Sequence, residues 1–373
     1  MDSITRALHA RVDDTHAKPA VTPLYQASAF EASSPFFYTR KSNPNIAEFE
    51  ETVRTLEGAR HGVAVSTGMA AIRVCLDQLR PGDEIVVNSY VYGCSFKLIQ
   101  RLAARMGWSL KVVDLSEPSS LKQFTPKTRM LFFETPTNPF LKTVDIRAVS
   151  SAVKALNPEA LVVVDNTWAT SLFQHPLEHG ADISLHSATK FFSGHSDVMG
   201  GILLTDRDDL EEACRAERFY SGAVLAPHSA WLLRRSLQTF SLRMEHHQQS
   251  TKEMARFLRD LPQVTRVYYP EVDGHQLMGY GGIIFFDLRK DLVGRYPDFI
   301  ARLELFGTGT GMACVTSMVA QPYTGSHASM NDEEKAQMGL DRGTVRLCFG
   351  LERLIDLQKD VKAALEHIDM QQR

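Results

Sequence analysis

Between residues 61 and 205 the chain alternates short apolar runs with segments of helical period, and that alternation leaves few folds open. The runs HGVAVST (61–67), DEIVVNS (83–89), LKVVDL (110–115), RMLFFET (129–135), LVVVDN (161–166), DISLHSA (182–188) and GILLT (201–205) read as strands. Most lack polar alternation, the mark of strands covered on both faces. Between several of them lie MAAIRVCLDQLR (69–80), CSFKLIQRLAARMG (94–107) and IRAVSSAVKALN (146–157), the last behind Asp145 as an N-cap. Strand–helix–strand repetition predicts an α/β chain with a mostly parallel, doubly wound sheet. Right-handed crossovers would place helices on both of its faces.

The flanks read differently. Residues 1–55 form an expected arm, in which Pro19, Pro23, Pro35 and Pro44 break any long helix. Residues 56–225 form the sheet domain. Beyond it come a long helical stretch (227–261), strand candidates TRVYYP (265–270) and GGIIFFDL (281–288), and an amphipathic helix (354–368). The apolar positions of that last helix are Leu354, Leu357, Val361, Ala364 and Leu365. These predict a smaller α+β domain over 226–373.

Composition narrows the function classes. With 373 residues and 44% apolar content the chain can bury the cores of two domains. Its 41 basic and 44 acidic residues give a net charge of −3, with no basic run to attract nucleic acid or a membrane surface. Cys75, Cys94, Cys214, Cys314 and Cys348 are widely spaced and odd in number. They argue against a disulfide framework or a zinc site and fit a reducing cytoplasm. The polar start MDSITRALHARVDDTHAK has no apolar core of a secretory signal. No stretch approaches the roughly 20 apolar residues that cross a bilayer.

Residues 161–200 carry the chemistry. One apolar strand ends in Asp165-Asn166-Thr167 and the next in Ser187-Ala188-Thr189-Lys190. In a doubly wound sheet both ends face one cleft. A pyridoxal 5′-phosphate (PLP) site needs such a pair. An amine (Lys190) forms an imine with the cofactor aldehyde, and a carboxylate (Asp165) keeps the pyridine nitrogen protonated. Ser187 and Thr189 can bind the phosphate through hydroxyls and N–H groups. STGM (66–69) sits where a strand gives way to a helix, an anion site at Gly68 and Met69. Taken singly, Asp-Asn-Thr is a turn, a lysine is solvated surface, and STGM is a strand–helix turn. His186 and His195 are nine residues apart, not a compact metal-ligand pair, and read as structural; no metal is expected.

At this segment the chain resembles the Cys/Met-metabolism family of PLP enzymes, which includes cystathionine γ-synthase, cystathionine β-lyase, cystathionine γ-lyase and methionine γ-lyase. HSATKFFSGHSDVMGG (186–201) is similar to the family's lysine signature. PAVTPLYQASAF (19–30), YTRKSNPN (38–45), STGMAAI (66–72), YGCS (92–95), ETPTNP (134–139), VVDNTWAT (163–170), LQTFSLRM (237–244) and TVRLCFGLE (344–352) fall in the family's order. The resemblance implies a type I PLP-dependent transferase fold and elimination or replacement at the β- or γ-carbon of a sulfur-containing or O-activated amino acid. It implies that Tyr92 stacks on the cofactor and handles protons, and that Thr167 belongs to the cofactor-binding set. Asn138 would lie near the cofactor hydroxyl and the substrate carboxylate, and Arg346 would take that carboxylate. Tyr38 and Arg40 would reach the phosphate of a neighbouring subunit, within a homotetramer built from dimers with shared sites.

Some positions depart from the family pattern. In FGTGTGMACVTSMV (306–319) the family's Ser-Leu-Gly-Gly is replaced, with Gly311 at the serine and Thr310 where γ-acting members often carry an acid. Cys94 replaces a glycine, Asn45 stands where Thr is common, and the arm between Phe30 and Tyr38 is short. These changes touch substrate recognition, so a specialised, non-cystathionine amino acid is an alternative substrate. Rival readings are a PLP aminotransferase or decarboxylase, and a catalytically idle PLP-binding regulatory protein. A nicotinamide enzyme is remote, because no GxGxxG follows the first strands.

Overall fold

The computed structural model describes residues 2–10, 18–309 and 311–372. After a short helix α1 (Ser3–Leu8), the first long element is α2 (Pro44–Glu57). It lies inside the segment read as a helix-poor arm. Pro44 does not break it but opens it: proline fits the first turn, where its missing N–H has no acceptor to lose. Asn43 caps it by accepting the Asn45 N–H at 2.9 Å. Phe49 and Val53, both fully buried, anchor α2 in the main core.

Strands β1 (His61–Val65), β2 (Glu84–Asn88), β3 (Ser109–Val113), β4 (Thr128–Glu134), β5 (Leu161–Asp165), β6 (Ile183–His186) and β7 (Gly201–Thr205) match the seven apolar runs. They form one sheet in the order β1-β7-β6-β5-β4-β2-β3. The contacts among β2 to β6 are parallel; β7 alone runs against its neighbours β6 and β1. Helices α3 (Gly68–Leu76), α4 (Gly93–Met106), α5 (Ile146–Leu156) and α6 (Thr170–Phe173) lie in the connections, and α7 (Asp208–Ser221) follows the last strand. Alternate residues of one strand enter different cores. Met130 and Phe132 pack with Ile72 and Ile99 on one face, while Leu131 and Phe133 pack with Val149 and Val153 on the other. Double-sided burial explains the unbroken apolar runs.

The stretch 227–261 splits at Gln238-Thr239 into α8 (Pro227–Leu237) and α9 (Phe240–Arg259). A second sheet follows, built from β8 (Val264–Tyr268), β9 (Ile283–Leu288), β10 (Gly307–Thr308), β11 (Met318–Ala320) and β12 (Thr344–Cys348), in the order β10-β11-β12-β9-β8. Helices α10 (Tyr296–Arg302), α11 (Asp332–Gln337) and α12 (Leu354–Gln372) complete the chain. One face of this sheet, with Val345 and Leu347, packs on Leu357, Val361 and Leu365 of α12. The opposite face turns Phe285 and Cys348 toward the main core, where Trp168 stacks on Phe285 at 5.9 Å between centroids. Arg346 shares that face, because side chains alternate along a strand.

Candidate active site

The strand ends and the second sheet enclose a cavity of about 490 Å³, lined among others by Gly68, Met69, Tyr92, Asn138, Asp165, Thr167, Ser187, Thr189, Lys190 and Arg346. Ten of the twelve expected site residues therefore share one space. Tyr38 and Arg40 do not line it. Arg40 lies over its own chain's Phe219 ring at 4.1 Å and donates to the Phe219 carbonyl at 2.9 Å.

Each side chain arrives there for a local reason. Asp165 is the last residue of β5. Its Oδ1 accepts the Thr167 N–H at 3.0 Å, in an Asx-type turn. Burial pushes the Asp165 carboxyl up, and the Thr167 hydrogen bonds and His186 pull against that rise. Thr167 Oγ1 accepts the Ser187 N–H at 2.8 Å and so ties the end of β5 to the loop after β6. Lys190 lies in that loop. Burial, then the nearby Arg346 charge, lowers its amine from the ordinary lysine range. The loop folds back on the start of β7: Gly200 N–H donates to Thr189 Oγ1 at 3.1 Å. Arg243 of α9 clamps it from below, donating to the carbonyls of Phe191 at 2.9 Å and Ser236 at 3.0 Å.

At the other end of the cavity Thr67 caps α3, accepting the Ala70 N–H at 3.0 Å. The first-turn N–H groups of Gly68 and Met69 have no acceptor within the helix. Gly68 also lies so close to Ser187 that a Cβ would stand 2.8 Å from the Ser187 Cβ. This close approach leaves N–H groups and hydroxyls around one anion-sized space, and the donor set suits a phosphate. Asn138 Oδ1 is buried without a hydrogen-bond partner among the described residues, so it has acceptor capacity left for a ligand. A cavity with an anion cradle, a half-buried carboxylate at a strand end and a lysine whose amine is lowered by burial fits PLP. Thr67, Gly68, Met69, Ser187 and Thr189 would hold its phosphate, Asp165 its ring nitrogen and Lys190 its aldehyde.

Arg346 is 2% exposed, at odds with the surface role such a residue has in isolation. Its Nη2 donates to the Gly311 carbonyl at 3.4 Å. The divergent 306–319 loop therefore meets the carboxylate-binding candidate directly, and its Met312 lines the cavity. Thr310 lies outside the described residues. Tyr92 precedes α4, where burial and the Cys94 thiol push its phenol up to about 12.

His186 faces a carboxylate of α2. Its Nε2 meets Glu57 Oε2 at 2.6 Å with both side chains buried. Burial works to raise the Glu57 carboxyl, but the charge and hydrogen bond of His186, with Ser184 and Ser171, hold it below the usual range. His195 Nδ1 lies 2.6 Å from the Ser193 carbonyl of its own loop and 3.4 Å from Ser236 Oγ of α8.

Sequence reasoning passed over several lining residues, among them Glu134, Ser95, Trp168, Met199, Gly325 and Ser326. Glu134 ends β4 level with Asp165, so the strand-end rule that found Asp165 reaches it too. Gly325 and Ser326 belong to an irregular loop with no local signal.

Comparison with known proteins agrees with this geometry. A family model described as Cys/Met metabolism PLP-dependent enzyme matches residues 4–366. The chain is 36% identical over 377 residues to cystathionine beta-lyase of Lactococcus lactis subsp. cremoris (strain MG1363), spanning 97% of this chain and 98% of that protein. It is 38% identical over 388 residues to L-methionine gamma-lyase of Pseudomonas deceptionensis, spanning 97% and 96%. The crystal structure of cystathionine gamma synthase from Xanthomonas oryzae pv. oryzae in complex with cystathionine superposes with a TM-score of 0.94 at 33% identity, covering 99% of each chain.

Proposed function

The chain belongs to the Cys/Met-metabolism family of PLP-dependent enzymes, and on that premise we propose that it eliminates or replaces a substituent at the β- or γ-carbon of a sulfur-containing or O-activated amino acid. The observation that carries this reading is the convergence of Lys190, Asp165 and Arg346, from three separate elements, on one cavity. When bound, PLP supplies an aldehyde that captures amines and a ring that accepts electron density from the substrate α-carbon.

The chain's own residues do the rest. Arg346 binds and orients the substrate α-carboxylate through its planar fork. Burial and the Arg346 charge favour the neutral Lys190 amine, which then takes the α-proton as a general base. Asp165 holds positive charge at the ring nitrogen. Tyr92, whose phenol stays protonated at neutral pH, gives that proton to the leaving group. Asn138 offers its free acceptor beside them. Trp168 lines the cavity and stacks on Phe285 of the second sheet.

In the same reading Tyr38 and Arg40 complete the site of a neighbouring copy, and the assembly is a homotetramer of such dimers. Their absence from their own chain's cavity supports this, as does the exposure of Phe37 (71%) beside them. The chain divides into an arm (1–55), a PLP-binding domain (56–225) and a C-terminal α+β domain (226–373). The two sheets falling in the last two units support that division. Five free cysteines fit a cytoplasmic setting. No helix among the described residues is long and apolar enough to cross a membrane.

The test is a panel of cystathionine, methionine, cysteine and O-acetyl- or O-succinylhomoserine, with and without added thiol, scored for ammonia and 2-oxo acid. Turnover of any of them is expected, with Lys190→Ala at least about 100-fold slower, as loss of a general base requires. Amino transfer to a 2-oxo acid without ammonia release would replace this reading with transamination. Full turnover by Lys190→Ala would remove it.

A further inference from the structure

The roles assigned above leave one buried acid unused. Glu134 ends β4 and Asp165 ends β5, and the two are register partners, so their side chains leave the sheet on the same face. Glu134 is 2% exposed and lines the cavity. Its Oε1 accepts the Tyr92 N–H at 2.6 Å, and its carboxyl also accepts the Asn138 N–H. Among the described residues its Oε2 is buried without a partner.

Two carboxyl groups on paired strand ends, one of them almost fully buried, resist ionising together, and one keeps a proton. The surroundings decide which. Asp165 receives hydrogen bonds from both the N–H and the hydroxyl of Thr167, and His186 of β6 lies within electrostatic reach. Glu134 receives backbone N–H groups only, from Tyr92 on Oε1 and from Asn138, and its Oε2 is left over. The other titratable groups lining the cavity are Tyr92, Lys190 and Arg346.

We propose that Glu134 is a positioning residue that carries the single proton of a Glu134–Asp165 pair, leaving Asp165 as the one charge facing the ring nitrogen. Its free Oε2–H then donates to an acceptor on the molecule bound in the cavity, while Oε1 holds the Tyr92 backbone in place. Burial and the neighbouring Asp165 charge both push the Glu134 carboxyl well above the ordinary range, in the same direction as the geometry. The proposal rests on the reading of Asp165 as the partner of the PLP ring nitrogen.

Infrared difference spectroscopy on the full-length holoenzyme tests it. At neutral pH wild type should show a carboxylic-acid carbonyl band that Glu134→Gln lacks. Glu134→Gln exchanges one neutral group for another of the same shape, so its visible cofactor spectrum should match wild type. In Asp165→Asn the acid band should disappear at lower pH than in wild type, because the like charge is gone. Glu134→Ala, which strips the acceptor from the Tyr92 N–H, should weaken PLP binding about tenfold, the effect of orphaning a buried donor. A wild-type enzyme without the acid band would overturn the proposal, as would a Glu134→Gln spectrum altered in the manner of Asp165→Asn. Both outcomes are readable even if Glu134→Ala fails to fold. If PLP binds on Lys190 but no acid band appears, only the proton placement fails. If PLP does not bind, the reading of the site fails with it.

Discussion

At the scale of single residues, Arg346 shows how burial changes meaning. A basic residue in a short strand, seen alone, belongs on a surface; here it is 2% exposed, on the face of the second sheet that meets the main core. Only the pairing of β12 with β9 and β11 puts it there, and no local pattern encodes that pairing. Lys190 and Asp165 were legible because Asp165 ends a recognisable apolar run and Lys190 lies in the loop just after another, and strand ends in such sheets converge. Glu134 was equally legible by that rule, yet it carried no motif chemistry of its own. Replacing Arg346 by lysine keeps the charge but loses the bidentate fork. We expect KM to rise about 10- to 100-fold with a smaller change in kcat, from loss of charge-assisted hydrogen bonding. Steady-state kinetics on the preferred substrate would check this, and an unchanged KM would remove Arg346 from carboxylate binding.

At the scale of elements, the helix α9 does more than lead from one sheet to the other. Its Arg243 sits beneath the lysine loop, and burial lowers the guanidinium to about 10. Gly194 faces it so closely that a Cβ would lie 2.1 Å from Nη1. This explains why LQTFSLRM carries family resemblance without lining the cavity. Arg243→Met should leave the carbonyls of Phe191 and Ser236 unpaired and cost about 2–3 kcal/mol, as buried acceptors do. Thermal denaturation of the holoenzyme would measure that loss, and faster cofactor dissociation should accompany it. The strands were readable because double-sided burial writes itself as unbroken apolar runs. The arm was misread at Pro44 because a proline that ends one helix also starts another, and only the capping Asn43 beside it distinguishes the two. The break at Gln238-Thr239 had no glycine or proline to announce it.

At the scale of the whole molecule, two buried histidines make stability fall as the solution turns acid. Burial lowers His247 to about 3 and His327 to about 4 from an ordinary 6.5. Both are neutral when folded and take up protons when unfolded. The unfolded chain therefore gains protons first as pH falls below 6.5, and stability declines from there until the folded values are reached. On those values His247 contributes up to roughly 5 kcal/mol to that decline and His327 up to roughly 3. His247→Gln should flatten the fall of melting temperature between pH 6.5 and the region of about 3–4; an unchanged slope would place the acid sensitivity elsewhere. Assembly is tested by complementation. Lys190→Ala and Arg40→Ala chains, each weak alone, should regain about a quarter of wild-type activity when refolded together, since half the dimers are hybrid and each hybrid holds one intact site. No recovery would confine each site to one chain.

The crossing at the start of β7 has a mechanical consequence. A Cβ on Gly201 would lie 2.3 Å from the Thr67 carbonyl oxygen, so the backbone leaving the lysine loop rests directly on the turn that opens α3. The amine-bearing segment and the anion cradle thereby form one jaw, held by a backbone contact that sets the span between them. A substitution as small as Gly201→Ala would pry that jaw apart, and the length of molecule it accepts would change with it.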